Sequence, residues 1–335
     1  MPAASAPKEA HQQKPQKKPE KKPPAALESG ASSIAKHPPR RKGSGHEEPV
    51  AARSVVSVAA ATPATAAGSL LDGCWHVYLD VGTNVGNQIR KVFEPQRFPL
   101  APILPVYDTY FGTSRARAET VCAVGFEPNA VHETRLGELA QRYNALGYRT
   151  HMMLNVAAAT REGNVTFFRD VSFSGKRNHE WGASMVRPTS LRLPHQRQLV
   201  ITVPTVDLAQ WIRREVLQRR LPARPAGAAP GPPRVMMKLD IEGAEHRVLP
   251  HLLEQGVLCR LDYMYAEYHT VPPEAGYDAH LEARMRNATS SCGLELTSLD
   301  DEIPFSPTGP HCKAVFAKPK SPMEKWRCYE VPPLP

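Results

Sequence analysis

Five side chains have the types and positions to do chemistry together: Asp80, Glu127, Asp240, Glu242 and His269. Each stands at or just past the end of a short apolar run. Asp80 lies in His76 to Val81 and opens Asp80-Val-Gly-Thr-Asn-Val-Gly86. Glu127 follows Val121 to Phe126 and precedes Pro128. Asp240 and Glu242 belong to Lys238-Leu-Asp-Ile-Glu-Gly-Ala-Glu245, which follows Val235 to Met237. His269 ends Glu267-Tyr-His, beyond the run that starts at Asp262. Carboxylates accept hydrogen bonds from neighbouring hydroxyls and attract cations. An imidazole titrates near neutrality and suits a general base. Together these groups suit binding of a cationic, hydroxyl-bearing ligand and removal of a proton.

The elements that must position them follow from the pattern. Short apolar runs ending in turn residues suit buried parallel strands, and helical patterns follow several of them. Strand, glycine turn and helix at 76–94 form the first half of a nucleotide-binding βα unit, in which Gly82 and Gly86 let a ligand lie on the backbone. A dinucleotide site has G-x-G-x-x-G and faces a pyrophosphate. Here the pattern is D-x-G-x-x-x-G, and the middle glycine is missing. The acid favours S-adenosylmethionine (SAM), which carries a sulfonium, an ammonium and no phosphate, over NAD. Gly82, Thr83, Asn84 and Gly86 are expected to hold SAM together with Asp80. Glu127 and Pro128 come at the second strand tip, where ribose hydroxyls bind, although Glu127 also reads as an exposed strand-end charge. Asn155, ending a third strand, is expected to face the adenine, and Asp240 to complete the site.

These motifs, in this order and with Asn155-Val-Ala157 between them, resemble the FkbM-type SAM-dependent methyltransferases over residues 74 to 318. Lys238 to Glu245 and the later Glu-x-His carry the resemblance most specifically. It implies a Rossmann-like class I methyltransferase fold: an α/β architecture of seven mostly parallel strands, with helices on both faces. The last two strands, Gly293–Leu299 and Lys313–Ala317, are expected to close it as an antiparallel hairpin. Gly182-Ala183-Ser184 would lie near the cofactor. A long insert, about 95–119, departs from the family pattern. Its prolines argue against helix; it reads as a lid or acceptor-pocket wall, or as a flap on the sheet edge.

The remaining chain sets bounds. The net charge is +9 and proline is abundant, at 34 residues. Residues 1–70 hold 11 Lys and Arg against 5 Glu, so the basic character sits mainly there. Their Lys-Pro tracts lack apolar periodicity and are expected to be disordered, a solvated arm or a weak contact to an anionic surface through residues 1–50. No specific nucleic-acid partner is expected. Residues 55–71 are Ala-rich, with Pro63 and Gly68 inside, and make a poor membrane span. A cytoplasmic address is slightly favoured. Residues 72–318 form the catalytic domain, 221–234 a Pro-rich surface loop and 319–335 a tail. Residues 157–203 suggest a small antiparallel excursion before a helix capped by Asp207. The six cysteines show no C-x-x-C and read as buried free thiols. No metal is assigned, because no complete ligand set is visible.

The expected function is SAM-dependent O-methyl transfer to a small-molecule or glycan hydroxyl. Asp240, Glu242 and His269 are the catalytic candidates, with His269 or Glu242 taking the acceptor's proton. Glu242 and Glu245 also read as acids favouring the positive end of the next helix. The alternative function is a non-catalytic binding module of the same fold, delivered by its basic tail.

Overall fold

The computed structural model describes residues 68–171, 180–187, 198–301 and 334–335. In chain order, the strands are β1 (His76–Val81), β2 (Val121–Glu127), β3 (Arg149–Leu154), β4 (Ala157–Ala159), β5 (Gly163–Asp170), β6 (Gln198–Asp207), β7 (Val235–Leu239), β8 (Tyr263–Ala266) and β9 (Glu295–Ser298). The helices are α1 (Asn87–Phe93), α2 (Leu104–Phe111), α3 (Ser114–Thr120), α4 (Glu133–Ala145), α5 (Leu208–Trp211), α6 (Glu245–Glu254) and α7 (Leu281–Thr289), with a π-helical stretch (Ile212–Leu217) continuing α5.

Six strands form one parallel sheet in the order β3-β2-β1-β7-β8-β9. This is the doubly wound order, with its reversal point between β1 and β7. Side-chain alternation builds two cores. Val77, Leu79 and Val81 of β1 point to one face, with Met237 of β7 and Met264 of β8; α5, α6 and α7 cover them. Tyr78, Met236 and Tyr265 point to the other face, under α1, α2 and α4. The strands are therefore apolar on both sides, which is why they read as continuous runs rather than alternating ones. A second sheet, β4-β6-β5, pairs β5 with β6 antiparallel and β4 with β6 parallel, and supplies the expected excursion. Asp207 caps α5 by accepting from the Gln210 amide at 3.1 Å.

Three expectations change. The 95–119 insert is mostly helical. Pro105 lies in the first turn of α2, where its missing amide costs nothing, and Thr113 caps α3. Tyr107 and Phe111 are fully buried against the sheet face, and the Tyr107 hydroxyl joins those of Tyr78 and Tyr265 in a buried chain at 3.0 and 2.7 Å. The insert thus roofs one face of the sheet. Second, β9 runs parallel to β8, so the antiparallel hairpin is not seen among the described residues; its expected partner, 313–317, lies outside them, as do residues 1–67 and the tail at 319–333. Third, the four described cysteines are not free thiols. Cys74 bonds to Cys122 and Cys259 to Cys292, with Cα separations of 5.7 and 5.4 Å. Their sequence separations, 48 and 33 residues, match no compact motif, so spacing could not reveal them. Cys312 and Cys328 lie outside the described residues. None of the helices described is long and apolar enough to cross a membrane.

His76 starts β1 with its side chain buried, and its Nδ1 accepts from the Arg234 amide at 2.9 Å. Burial, with the Arg234 and Arg219 charges, pushes the imidazole down to about 4.

Breaking the Cys74–Cys122 bond in a Cys74→Ser/Cys122→Ser variant should cost about 2–5 kcal/mol in denaturant melts, and reductant should lower the wild-type melting temperature. Stability should also fall with pH. The unfolded His76 takes up a proton below about 6.5 and the folded one only near 4, so stability is lost between these values as pH drops. Melts at pH 7 and 4.5 should show a smaller difference for His76→Gln than for the wild type.

Candidate functional site at the carboxyl edge

Gly82, Asn84 and Gly86 have φ values of 88°, 48° and 90°, so the turn after β1 is left-handed at three positions. Gly82 and Thr83 donate their amides to the Phe126 carbonyl at 3.2 and 3.0 Å, which ties the turn to β2. A Cβ on Gly82 would lie 1.7 Å from the Asp240 carbonyl oxygen. Gly82 is therefore demanded by the close approach of the turn after β7, in addition to its φ. At Gly86 a Cβ would meet Leu139 and Leu136 of α4. Thr83 is buried and donates its hydroxyl to the Asp80 carbonyl at 2.8 Å.

Lys238 fastens this arrangement. Asp80 stands opposite Lys238 across the β1–β7 pair. The Lys238 Nζ donates to the Gly82 carbonyl and to Asp240 Oδ2, each at 2.8 Å, and lies 3.9 Å from Asp80 Oδ1. Asp80 is fully buried, and neither carboxylate oxygen has a hydrogen-bond partner. Burial raises its carboxyl to about 7, against the pull of the Lys238 charge.

Glu127 ends β2. Its Oε2 accepts from the Asn84 amide at 2.6 Å and its Oε1 from the Asn129 amide at 2.8 Å. Burial lifts it to about 7 despite both amides. A carboxylate has about four acceptor sites, so Glu127 retains capacity for a ligand. It faces an open crevice with Gly82, Asn84, Pro128, Asp240 and Glu242. Phe167, Trp181, Ala183 and Met185 close the other side, from β5 and the segment bridged to it at Ser184. Ser184 ties that wall to the β7–α6 turn by donating to the Glu242 carbonyl at 2.5 Å.

Beside the crevice four carboxylates surround one imidazole. The His269 Nδ1 is 3.0 Å from Glu245 Oε1, which also accepts the His269 amide at 2.6 Å. Its Nε2 faces Glu267 Oε1, Glu242 Oε2 and Asp240 Oδ1 at 3.4, 3.5 and 3.8 Å. Burial alone would depress His269, but the Glu245 hydrogen bond and the surrounding acids push it up to about 10. Burial raises Glu267 to about 7 and carries Glu242 well above the carboxylate range, with Asp240 adding to both and His269 opposing.

The sequence residues divide as follows. Gly82, Asn84, Glu127, Pro128, Asp240 and Glu242 share the crevice. Asp80, Thr83 and Gly86 face inward and support the turn instead of lining the crevice. Asn155 is tied to β2, its amide donating to the Glu127 carbonyl at 2.8 Å, and is not among the lining residues. His269 stands beside the crevice, and the acids around it raise its proton affinity. No residue of the 95–119 insert lines the crevice; its buried Tyr107 and Phe111 pack against the sheet. Lys238, Glu245 and Glu267 stood in the quoted motifs but were given no chemical role. Trp181 and Glu180 carried no signal at all. Asp240, Glu242 and His269 offer donor atoms all within 4.8 Å of one another, a grouping not visible from spacing. Comparison with protein-family models, with curated proteins and with solved structures finds no match.

Gly82→Ala should lose more than about 2 kcal/mol in urea melts, from the left-handed φ and the clash together. Gly137→Ala, in α4 with open space around it, should instead gain about 0.4–1 kcal/mol.

Proposed function

We propose that the chain is a SAM-dependent methyltransferase of the FkbM type acting on a hydroxyl group. One observation carries the reading. The glycine turn, the acid ending β2 and the acids after β7 meet at one crevice at the carboxyl edge, beside the point where strand order reverses. Ligands of open α/β sheets bind there.

The residues fit the cofactor. Glu127 has acceptor capacity for ribose hydroxyls. The crevice wall is acidic where a sulfonium and an ammonium would lie, and Phe167, Trp181 and Met185 offer apolar surface to an adenine ring. When bound, SAM supplies an electrophilic methyl group. The chain's own work is to orient an acceptor oxygen, which alone supplies several kcal/mol, and to take its proton. Two carboxylates with raised proton affinity are at hand, Glu242 in the crevice wall and Glu267 beside it. His269 stands between them. The acids also argue against a phosphate-bearing dinucleotide, which the strand order alone would admit.

A non-catalytic binding module remains the second reading of the same crevice. The two disulfides favour maturation in an oxidising compartment, where such bonds persist, against the slight cytoplasmic lean of the sequence.

Calorimetry should show SAM binding to the wild-type chain and at least about tenfold weaker binding to Glu127→Gln with an unchanged circular dichroism spectrum. Equal affinity in the two would count against the assignment. Transfer of label from SAM into an extract separates the enzyme from the module.

A further inference from the structure

We infer that Asp240, Glu242 and His269 form a seat for one divalent cation of the Mn²⁺ type, with Glu267 at its rim. The donor set comes from two chain segments that β7 and β8, adjacent in the sheet, bring together. Asp240 and Glu242 lie in the turn after β7, and His269 follows β8. Their donor atoms all fall within 4.8 Å of one another.

The spacing is that of a coordination shell. The His269 Nε2 stands 3.5 Å from Glu242 Oε2 and 3.8 Å from Asp240 Oδ1. Bonds of about 2.0–2.2 Å put neighbouring ligand atoms roughly 3.0–3.6 Å apart, so small shifts suffice. The observed gaps are long for direct hydrogen bonds, and none forms.

Two further features point to a ligand. Asp240 Oδ1 is buried, faces the imidazole and has no hydrogen-bond partner, while the other oxygen of the same carboxylate is held by Lys238. Such a buried acceptor is costly unless something fills it. The imidazole is also oriented from behind. Glu245, whose side chain is fully buried, holds Nδ1 at 3.0 Å, the carboxylate–histidine pairing that fixes a ring to present its Nε2 lone pair to a metal.

The charge balance agrees. Asp240, Glu242, Glu245 and Glu267 surround His269, and Lys238 contacts Asp240. With His269 neutral as a ligand, the carboxylates leave an excess of negative charge that a divalent ion offsets. Two or three carboxylates with one imidazole suit Mn²⁺ better than Mg²⁺, which takes oxygen donors, or Zn²⁺, which favours nitrogen and sulfur. The cation's role rests on the methyltransferase reading: beside the crevice it would polarise the acceptor's hydroxyl. The seat itself does not depend on that reading.

The test is a Mn²⁺ titration of the metal-free full chain without SAM, followed by calorimetry and by the electron paramagnetic resonance signal of free Mn²⁺. One Mn²⁺ should bind per chain. Asp240→Asn and His269→Gln should each weaken binding at least tenfold with melting temperatures that show a folded protein. Glu242→Gln serves as a third variant if either fails to fold. A wild-type chain that binds no Mn²⁺ at millimolar concentration would overturn the seat, as would variants that bind as tightly as wild type. Repeating the titration with saturating SAM separates the two readings. Undiminished Mn²⁺ affinity supports a cation beside the bound cofactor, whereas mutual exclusion overturns its role in transfer, because the acids would then be the seat of the cofactor's own positive charge. Mn²⁺ binding by a chain that ignores SAM sinks the methyltransferase reading and leaves the cation seat standing.

Discussion

The contact on which the site depends is the packing of the glycine turn after β1 onto the turn after β7, locked by Lys238. There is no room at Gly82 for a side chain, because the Asp240 carbonyl occupies that space. The Lys238 ammonium then joins the Gly82 carbonyl to the Asp240 carboxylate and neutralises part of the charge of Asp80 behind them. A lysine with a side chain only 5% exposed is stable only when paired and hydrogen-bonded. Removing it would leave two acids facing each other under the turn. The same contact sets the crevice, because Glu127 holds the Asn84 amide from the other side. Three strand ends are thereby fixed to one another before any ligand arrives.

Much of this was legible in the residues, for a specific reason. Strands buried on both faces must be apolar throughout, so β1, β2, β7 and β8 stand out as runs, and acids at their ends stand out against them. The Asp207 cap and the Pro-rich 221–234 loop were legible because each follows from local chemistry. The insert was not. Its prolines suggested broken structure, yet Pro105 sits where a helix tolerates it, and nothing local announced that Tyr107 and Phe111 would cover a sheet face. The disulfides were hidden for a related reason: a bond between residues 48 apart depends on which strands become neighbours.

The chemistry was legible by location and less so by role. Acids from distant segments do converge. Which of them faces the crevice and which faces inward depends on the pleat and the turn, and it put Asp80 inside and Glu127 at the wall. The imidazole shows the limit most clearly. An isolated histidine suits a base, but the acids around His269, Glu245 first, raise its proton affinity. Its surroundings come from two turns that only the sheet brings together, so its unperturbed behaviour was a poor guide.

The Cys74–Cys122 bond has a consequence for the chain's endurance. It closes a ring that contains α1, α2 and α3 and ties the approach to β1 to the strand beside it. Leu100, inside that ring, is 56% exposed, and a protease clipping the backbone there would not release either piece. The severed ends would stay tethered across the β1–β2 pair, and the carboxyl edge would keep its shape until a thiol opened the bridge.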